Sequence, residues 1–98
     1  MEVEFYDTTL DRLETDKSFR PKLSGQVIKA FRKRMQLIRS APDERVFYSL
    51  RSLNFEKPKG DRAHQYSMRL NDQWRLIVEL NKTSNPTVVV IKGIEDYH

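Results

Sequence analysis

Gln65-Tyr66-Ser67-Met68-Arg69-Leu70-Asn71-Asp72-Gln73-Trp74-Arg75-Leu76-Ile77-Val78-Glu79-Leu80 holds two alternating runs about a polar break. Tyr66, Met68 and Leu70 share one parity before the break, and Trp74, Leu76, Val78 and Leu80 share one after it. Alternation on both sides of a short turn predicts an antiparallel hairpin with one apolar face. If the loop is Asn71-Asp72-Gln73, Arg69 and Arg75 stand directly opposite each other, pointing away from that face. Like charges directly opposite on a sheet are destabilising. Such a pair is tolerated when an acid such as Glu79, Asp96 or Asp61 neutralises it, or when it is held for an anion.

Downstream, Asn81 to Pro86 is a polar turn and Thr87-Val88-Val89-Val90-Ile91 a further strand, read as more fully buried. Glu95-Asp96-Tyr97-His98 follows it. Upstream, Lys57-Pro58-Lys59-Gly60-Asp61-Arg62 is a loop by its proline and glycine. Leu53 and Phe55 alternate into it, while Arg45 to Leu53 is ambiguous between helix and extended chain. From Leu23, the residues Val27, Ile28, Phe31, Met35 and Ile38 make one apolar helical stripe ending near Ser40-Ala41-Pro42. Its start is either Pro21 at a first turn or Ser24 as the cap, with Gly25 disfavouring the earlier one. A shorter helix, capped by Thr8 or Thr9, carries Leu10 and Leu13. Val3 and Phe5 alternate with acids in a first strand. The predicted fold is α+β: two N-terminal helices on one face of a small, mainly antiparallel twisted sheet, with the other face open.

The 98 residues fit a single domain, 1–98, with one modest core. Charged residues are 33% and hydrophobic ones 38%, polar yet rich enough in aromatics to fold. Cysteine is absent, which removes disulfides, thiolate nucleophiles and Cys-based zinc sites. With two histidines, His64 and His98, a His-rich metal centre is excluded while a mixed carboxylate site stays open, and no metal or other cofactor is expected. No apolar run approaches the ~20 residues of a membrane span, and Met1-Glu2-Val3-Glu4-Phe5 is no signal peptide, so a cytoplasmic protein without membrane contact is expected.

The net charge of +4 is unevenly spread. Lys17, Arg20, Lys22, Lys29, Arg32, Lys33, Arg34 and Arg39 occur in a stretch without a single acid. That stretch is either a solvated helix face or a surface for a polyanion. Between residues 57 and 75, Lys57, Lys59, Arg62, Arg69 and Arg75 outnumber Asp61 and Asp72. The acid, phenol and imidazole of Asp96, Tyr97 and His98 come directly after a strand. Either they pack and fray at the surface, or the strand returns them to the sheet face bearing Arg69 and Arg75. In the second case the cleft suits RNA cleavage through the ribose 2′-hydroxyl. That reaction needs a base for the hydroxyl, cations for the phosphorane charge and an acid for the leaving 5′-oxygen.

Lys59-Gly60-Asp61-Arg62, Ser67-Met68-Arg69-Leu70-Asn71-Asp72-Gln73-Trp74-Arg75-Leu76 and Glu95-Asp96-Tyr97-His98 together resemble the HigB-like branch of the RelE/ParE toxin superfamily. The resemblance implies a toxin of a bacterial toxin–antitoxin module. Such toxins are ribosome-dependent mRNA interferases that cut the message in the A site without a metal. It further implies a HigA-like helix-turn-helix antitoxin as partner, the ribosome and mRNA as targets, and operator DNA contacted only through the antitoxin complex. By position, Lys59 is similar to the family's loop lysine, Arg69 and Arg75 to its phosphate-contacting arginines, and Asp96, Tyr97 and His98 to its C-terminal functional residues. The loop is longer than the family's, so Lys57 competes with Lys59 for that role. Ala63-His64-Gln65 stands where the family often has glycine, leaving His64 either an added contact in the cleft or a packed or edge residue. Lys57, Arg62, His64, Lys29, Arg32, Lys33 and Arg34 are the candidate RNA contacts. Two other readings compete: a ParE-like inhibitor of a topoisomerase, and a non-catalytic module that only binds antitoxin.

Overall fold

In chain order the computed structural model has β1 (Glu2–Phe5), α1 (Thr8–Thr15), α2 (Gly25–Ser40), α3 (Arg45–Ser49), a 3₁₀ turn (Arg51–Leu53), β2 (Gln65–Arg69), β3 (Trp74–Asn81) and β4 (Val88–Asp96). It describes residues 1–19, 21–57 and 64–96. The strands form one sheet in the order β1-β4-β3-β2. Only β1 and β4 run parallel; the other two pairings are antiparallel.

The two longer helices each start where a side chain meets an orphan amide. Asp7, rather than Thr8 or Thr9, caps α1, its Oδ1 accepting from the Thr9 amide at 2.9 Å. A carboxylate at this point also meets the positive end of the helix dipole. Ser24 caps α2, its hydroxyl accepting from the Val27 amide at 3.2 Å, so Gly25 falls in the first turn. Val27, Ile28, Phe31, Met35 and Ile38 form the buried stripe of α2 against Met68, Leu76, Val78, Val89 and Ile91. Arg39 clamps α2 to α1 through two 2.7 Å bonds to the Glu14 carboxylate.

The stretch left ambiguous between Arg45 and Leu53 becomes α3 and the 3₁₀ turn, closed by Asn54 at φ 47. Phe47, Phe55 and Tyr66 then step from α3 to the sheet, with the Phe55 and Tyr66 rings stacked 4.9 Å apart. Glu56 bridges Ser67 through backbone bonds of 2.7 and 3.2 Å, covering part of the outer edge of β2.

The expected fully buried strand is instead half-buried and longer. Val89 and Ile91 are buried, whereas Val88 and Val90 lie partly exposed on the open face. Helices cover one side of the sheet only, so alternate residues of β4 meet different surroundings. A register shift follows: Ile77 pairs with Gly93 but Val78 pairs with Ile91, so Lys92 has no partner across the ladder. One inserted residue of this kind is a β-bulge, and it reverses which side the later residues face.

Phe31 has no exposed surface, so Phe31→Ala is expected to cost about 3–5 kcal/mol. Lys33→Ala on the exposed side of the same helix should stay within ~0.5 kcal/mol. Urea denaturation of both variants checks the assignment of faces.

Candidate functional site

The hairpin turn is held by Asn71, whose Oδ1 accepts from the amides of Gln73 at 2.9 Å and Trp74 at 2.8 Å. That closes the loop on Asn71-Asp72-Gln73 and sets Arg69 opposite Arg75 in the ladder, as the alternation predicts. Arg75 is 8% exposed, and its Nη1 donates to the carbonyls of Asn71 at 2.6 Å and Trp74 at 3.2 Å. Arg69 is half-exposed and pairs with Asp72 of the turn, an acid that is almost fully exposed. Arg34 of α2 reaches the same end of the sheet, its Nε donating to the Arg69 carbonyl at 3.0 Å. Burial, and then the nearby Arg69 charge, lower the Arg34 pKa, a sign that cations are crowded there.

Of the acids expected to neutralise the pair, Glu79 engages Gln65 at 3.4 Å and Lys92 at 3.7 Å instead. Asp61 lies outside the described residues. Asp96 accepts from Gln73 Nε2 at 3.0 Å.

The bulge changes what β4 presents. Glu95 stands across from Arg75, and Asp96 stands across from Trp74. Trp74 and Ile94 pack against the core, so Asp96 takes their side of the sheet by alternation and Glu95 takes the arginine side. The expectation that Asp96 shares the face of Arg69 and Arg75 is corrected accordingly: unbroken alternation from Val88 and Val90 would put it there, and one inserted residue reverses the parity. Glu95, quoted only as part of the terminal motif, is the acid facing Arg75. Tyr97 and His98 lie outside the described residues, as do Lys59 and Arg62.

The remaining candidates divide. Lys29 and Lys33 are exposed and have no carboxylate partner among the described residues. With Gln26, Ala30, Arg34 and Leu70 they line an open groove of about 300 Å³ that leads from the hairpin along α2. Arg32 turns elsewhere, donating to the carbonyls of Leu13 at 3.1 Å and Asp16 at 3.4 Å, and so joins α2 to α1. Lys57 is exposed, its Nζ 5.7 Å from the centre of the Tyr66 ring. His64 is an exposed edge residue at φ 73, at the opposite end of β2 from Arg69. Five residues at ~3.4 Å each separate it from Arg69 by about 17 Å, so the two do not share one cleft.

Beside the arginine row on the open face lies the row Ser67, Ile77 and Gly93. Ser67 is small, Ile77 is buried, and a Cβ added at Gly93 meets nothing within 4 Å among the described residues. With Ser67 0% and Ile77 1% exposed, this row beside the guanidinium groups is covered. Chemically, the site can grip a phosphate from two sides and stabilise added negative charge on it. Among the described residues, no cluster of His, Asp or Glu side chains converges to hold a metal ion.

The sequence matches no protein-family model and no curated protein. The fold is similar to that of a YoeB/ParE toxin from Agrobacterium tumefaciens, with a TM-score of 0.58 and 15% identity over 100% of both chains. The likeness establishes the fold: helices packed against a four-stranded, mostly antiparallel sheet.

The facing arginines differ in what they contribute to folding. Arg69→Met removes an exposed, repelled charge and should leave stability unchanged or higher by up to ~1 kcal/mol. Arg75→Met strips two backbone carbonyls of a donor and should cost about 1–3 kcal/mol. Denaturation midpoints of the two variants distinguish them.

Proposed function

We propose that this chain is the toxin of a toxin–antitoxin module and acts as a metal-independent, ribosome-dependent mRNA interferase in the cytoplasm. The observation that carries the reading is the Arg69–Arg75 pair, two cations opposed across a hairpin at the end of an open sheet face. A fold keeps such a repulsion most readily where an anion is to be bound between the charges. The similarity in fold to a YoeB/ParE toxin supports the toxin reading.

In this mechanism Arg69 and Arg75 hold the scissile phosphate and stabilise the phosphorane. The ribose 2′-hydroxyl attacks the adjacent phosphorus, and the bond to the 5′-oxygen breaks. The products are a 2′,3′-cyclic phosphate and a 5′-hydroxyl. One group takes the proton from the 2′-hydroxyl and another protonates the 5′-oxygen; His98 is the candidate for one of these transfers, whereas Asp96 faces the other side of the sheet. Tyr97 positions or stacks on a base. Lys59, or Lys57 in its stead, adds positive potential near the leaving oxygen. Glu95, across from Arg75, orients that guanidinium. Lys29, Lys33 and Arg34 extend the cationic surface along α2 toward ribosomal RNA and message. The natural partner is a HigA-like helix-turn-helix antitoxin, which carries any operator contact.

Primer extension on message from cells producing the chain tests the reading. Cuts in translated message should fall at least ~100-fold with Arg75→Ala and on deletion of His98. Intact message with blocked DNA supercoiling would instead identify a ParE-like topoisomerase inhibitor, and neither effect a purely antitoxin-binding module. Reversing Lys29 and Lys33 to Glu should weaken ribosome binding and flatten its salt dependence.

A further inference from the structure

The two outer edges of the sheet are finished differently. Beyond β2, Glu56 covers part of the edge through its backbone bonds to Ser67. Beyond β1 no strand follows. β1 runs parallel to β4, and the Tyr6 amide donates to the Ile91 carbonyl at 2.9 Å. In a parallel ladder the amide and carbonyl of one residue point to the same side, and the side alternates along the strand. Glu4 and Tyr6 therefore turn toward β4, while the amides and carbonyls of Val3 and Phe5 point outward. Among the described residues nothing pairs with these outward groups.

An open groove of about 510 Å³ lies along this edge from Val3 to Tyr6, walled by Thr8 and Asp11 of α1 and Arg39 of α2. Its surroundings are acidic. Between Met1 and Asp16 the chain has six acids and one basic side chain, Arg12. Glu2 and Glu4 are exposed and have no ion-pair partner among the described residues. Arg39, the cation on the groove wall, is held by Glu14. Two β1 strands laid side by side would bring the glutamates of one copy against those of the other, so the edge is guarded against its own kind. The same charges favour a strand of opposite sign.

We propose that the outer edge of β1 docks an extended segment of a second protein as an added strand, with Lys or Arg at alternate positions and apolar residues between them. Its main chain pairs with the outward groups of Val3 and Phe5. Its cations lie beside Glu2 and Glu4 on the open face, and its apolar residues extend the row of Val3 and Phe5 on the helix side. The required pattern has a period of two, because side chains of a strand alternate between faces. The inference goes beyond the RNA-cleaving reading and uses neither arginine of the hairpin.

The test uses the isotope-labelled full chain, read by amide NMR, and a capped hexapeptide alternating lysine and valine. Adding the peptide should shift the Val3 and Phe5 amides and slow their exchange with solvent at least ~10-fold. A glutamate–valine hexapeptide should bind at least ~10-fold more weakly, and the double variant Glu2→Lys, Glu4→Lys should reverse that preference. The amide spectrum of the variant verifies its fold. Of two lysine–valine peptides N-methylated on alternate residues, one should lose binding at least ~10-fold and the other keep it, because only alternate amides of an added strand face β1. Equal binding by both overturns the proposal, since charge attraction without strand pairing then explains the contact. Protection of Val3 and Phe5 that rises with protein concentration before any peptide is added also overturns it, by placing a second copy on the edge.

Discussion

Two arginines stand opposite each other in an antiparallel ladder, a placement that like charges disfavour, and at the hairpin end of this molecule each guanidinium takes a separate partner. Arg75 is sunk into the sheet and donates to the carbonyls of its own turn. Arg69 leans outward to an exposed aspartate. The turn residue Asn71 fixes the loop length that makes them opposite. A loop one residue longer or shorter would move one arginine to the other face of its strand, because side chains alternate with a period of two. The geometry at the mouth of the site is therefore a property of the register, and the register is held by the apolar residues on the opposite side of the same strands.

The one-sided sheet follows from the same logic. α2 buries its apolar stripe against the even-numbered residues of the hairpin, and its polar side is then left to water. Within that polar side the cations have separate tasks. Arg32 and Arg39 spend their donors joining α2 to α1. Arg34 reaches over to the hairpin, and Lys29 and Lys33 remain available to a polyanion. The acid-free stretch is thus partly structural and partly a charged surface, and the division depends on which helical position meets which neighbour.

Much of this was legible in the chain. The alternation around Asn71-Asp72-Gln73 carries the hairpin, the opposition of Arg69 and Arg75, and the buried face. The spacing from Val27 to Ile38 carries α2 and its core. Local hydrogen bonding decided finer points that patterning leaves open, such as Asp7 taking the cap of α1 and Ser24 that of α2. His64 reads equally well as a cleft residue or an edge residue in a list of parities. Only its φ and the early start of β2 set it at the far end of the strand.

The chain's own order of residues therefore determined the element types, the hairpin register and the pair of facing cations, since each depends on neighbours a few positions apart. Tertiary structure decided how β4 comes back. One extra residue between the partners of Ile77 and Val78 turns Glu95 toward Arg75 and Asp96 toward Trp74. A bulge arises from the fit between two strands far apart along the chain, and no local pattern in either strand announces it.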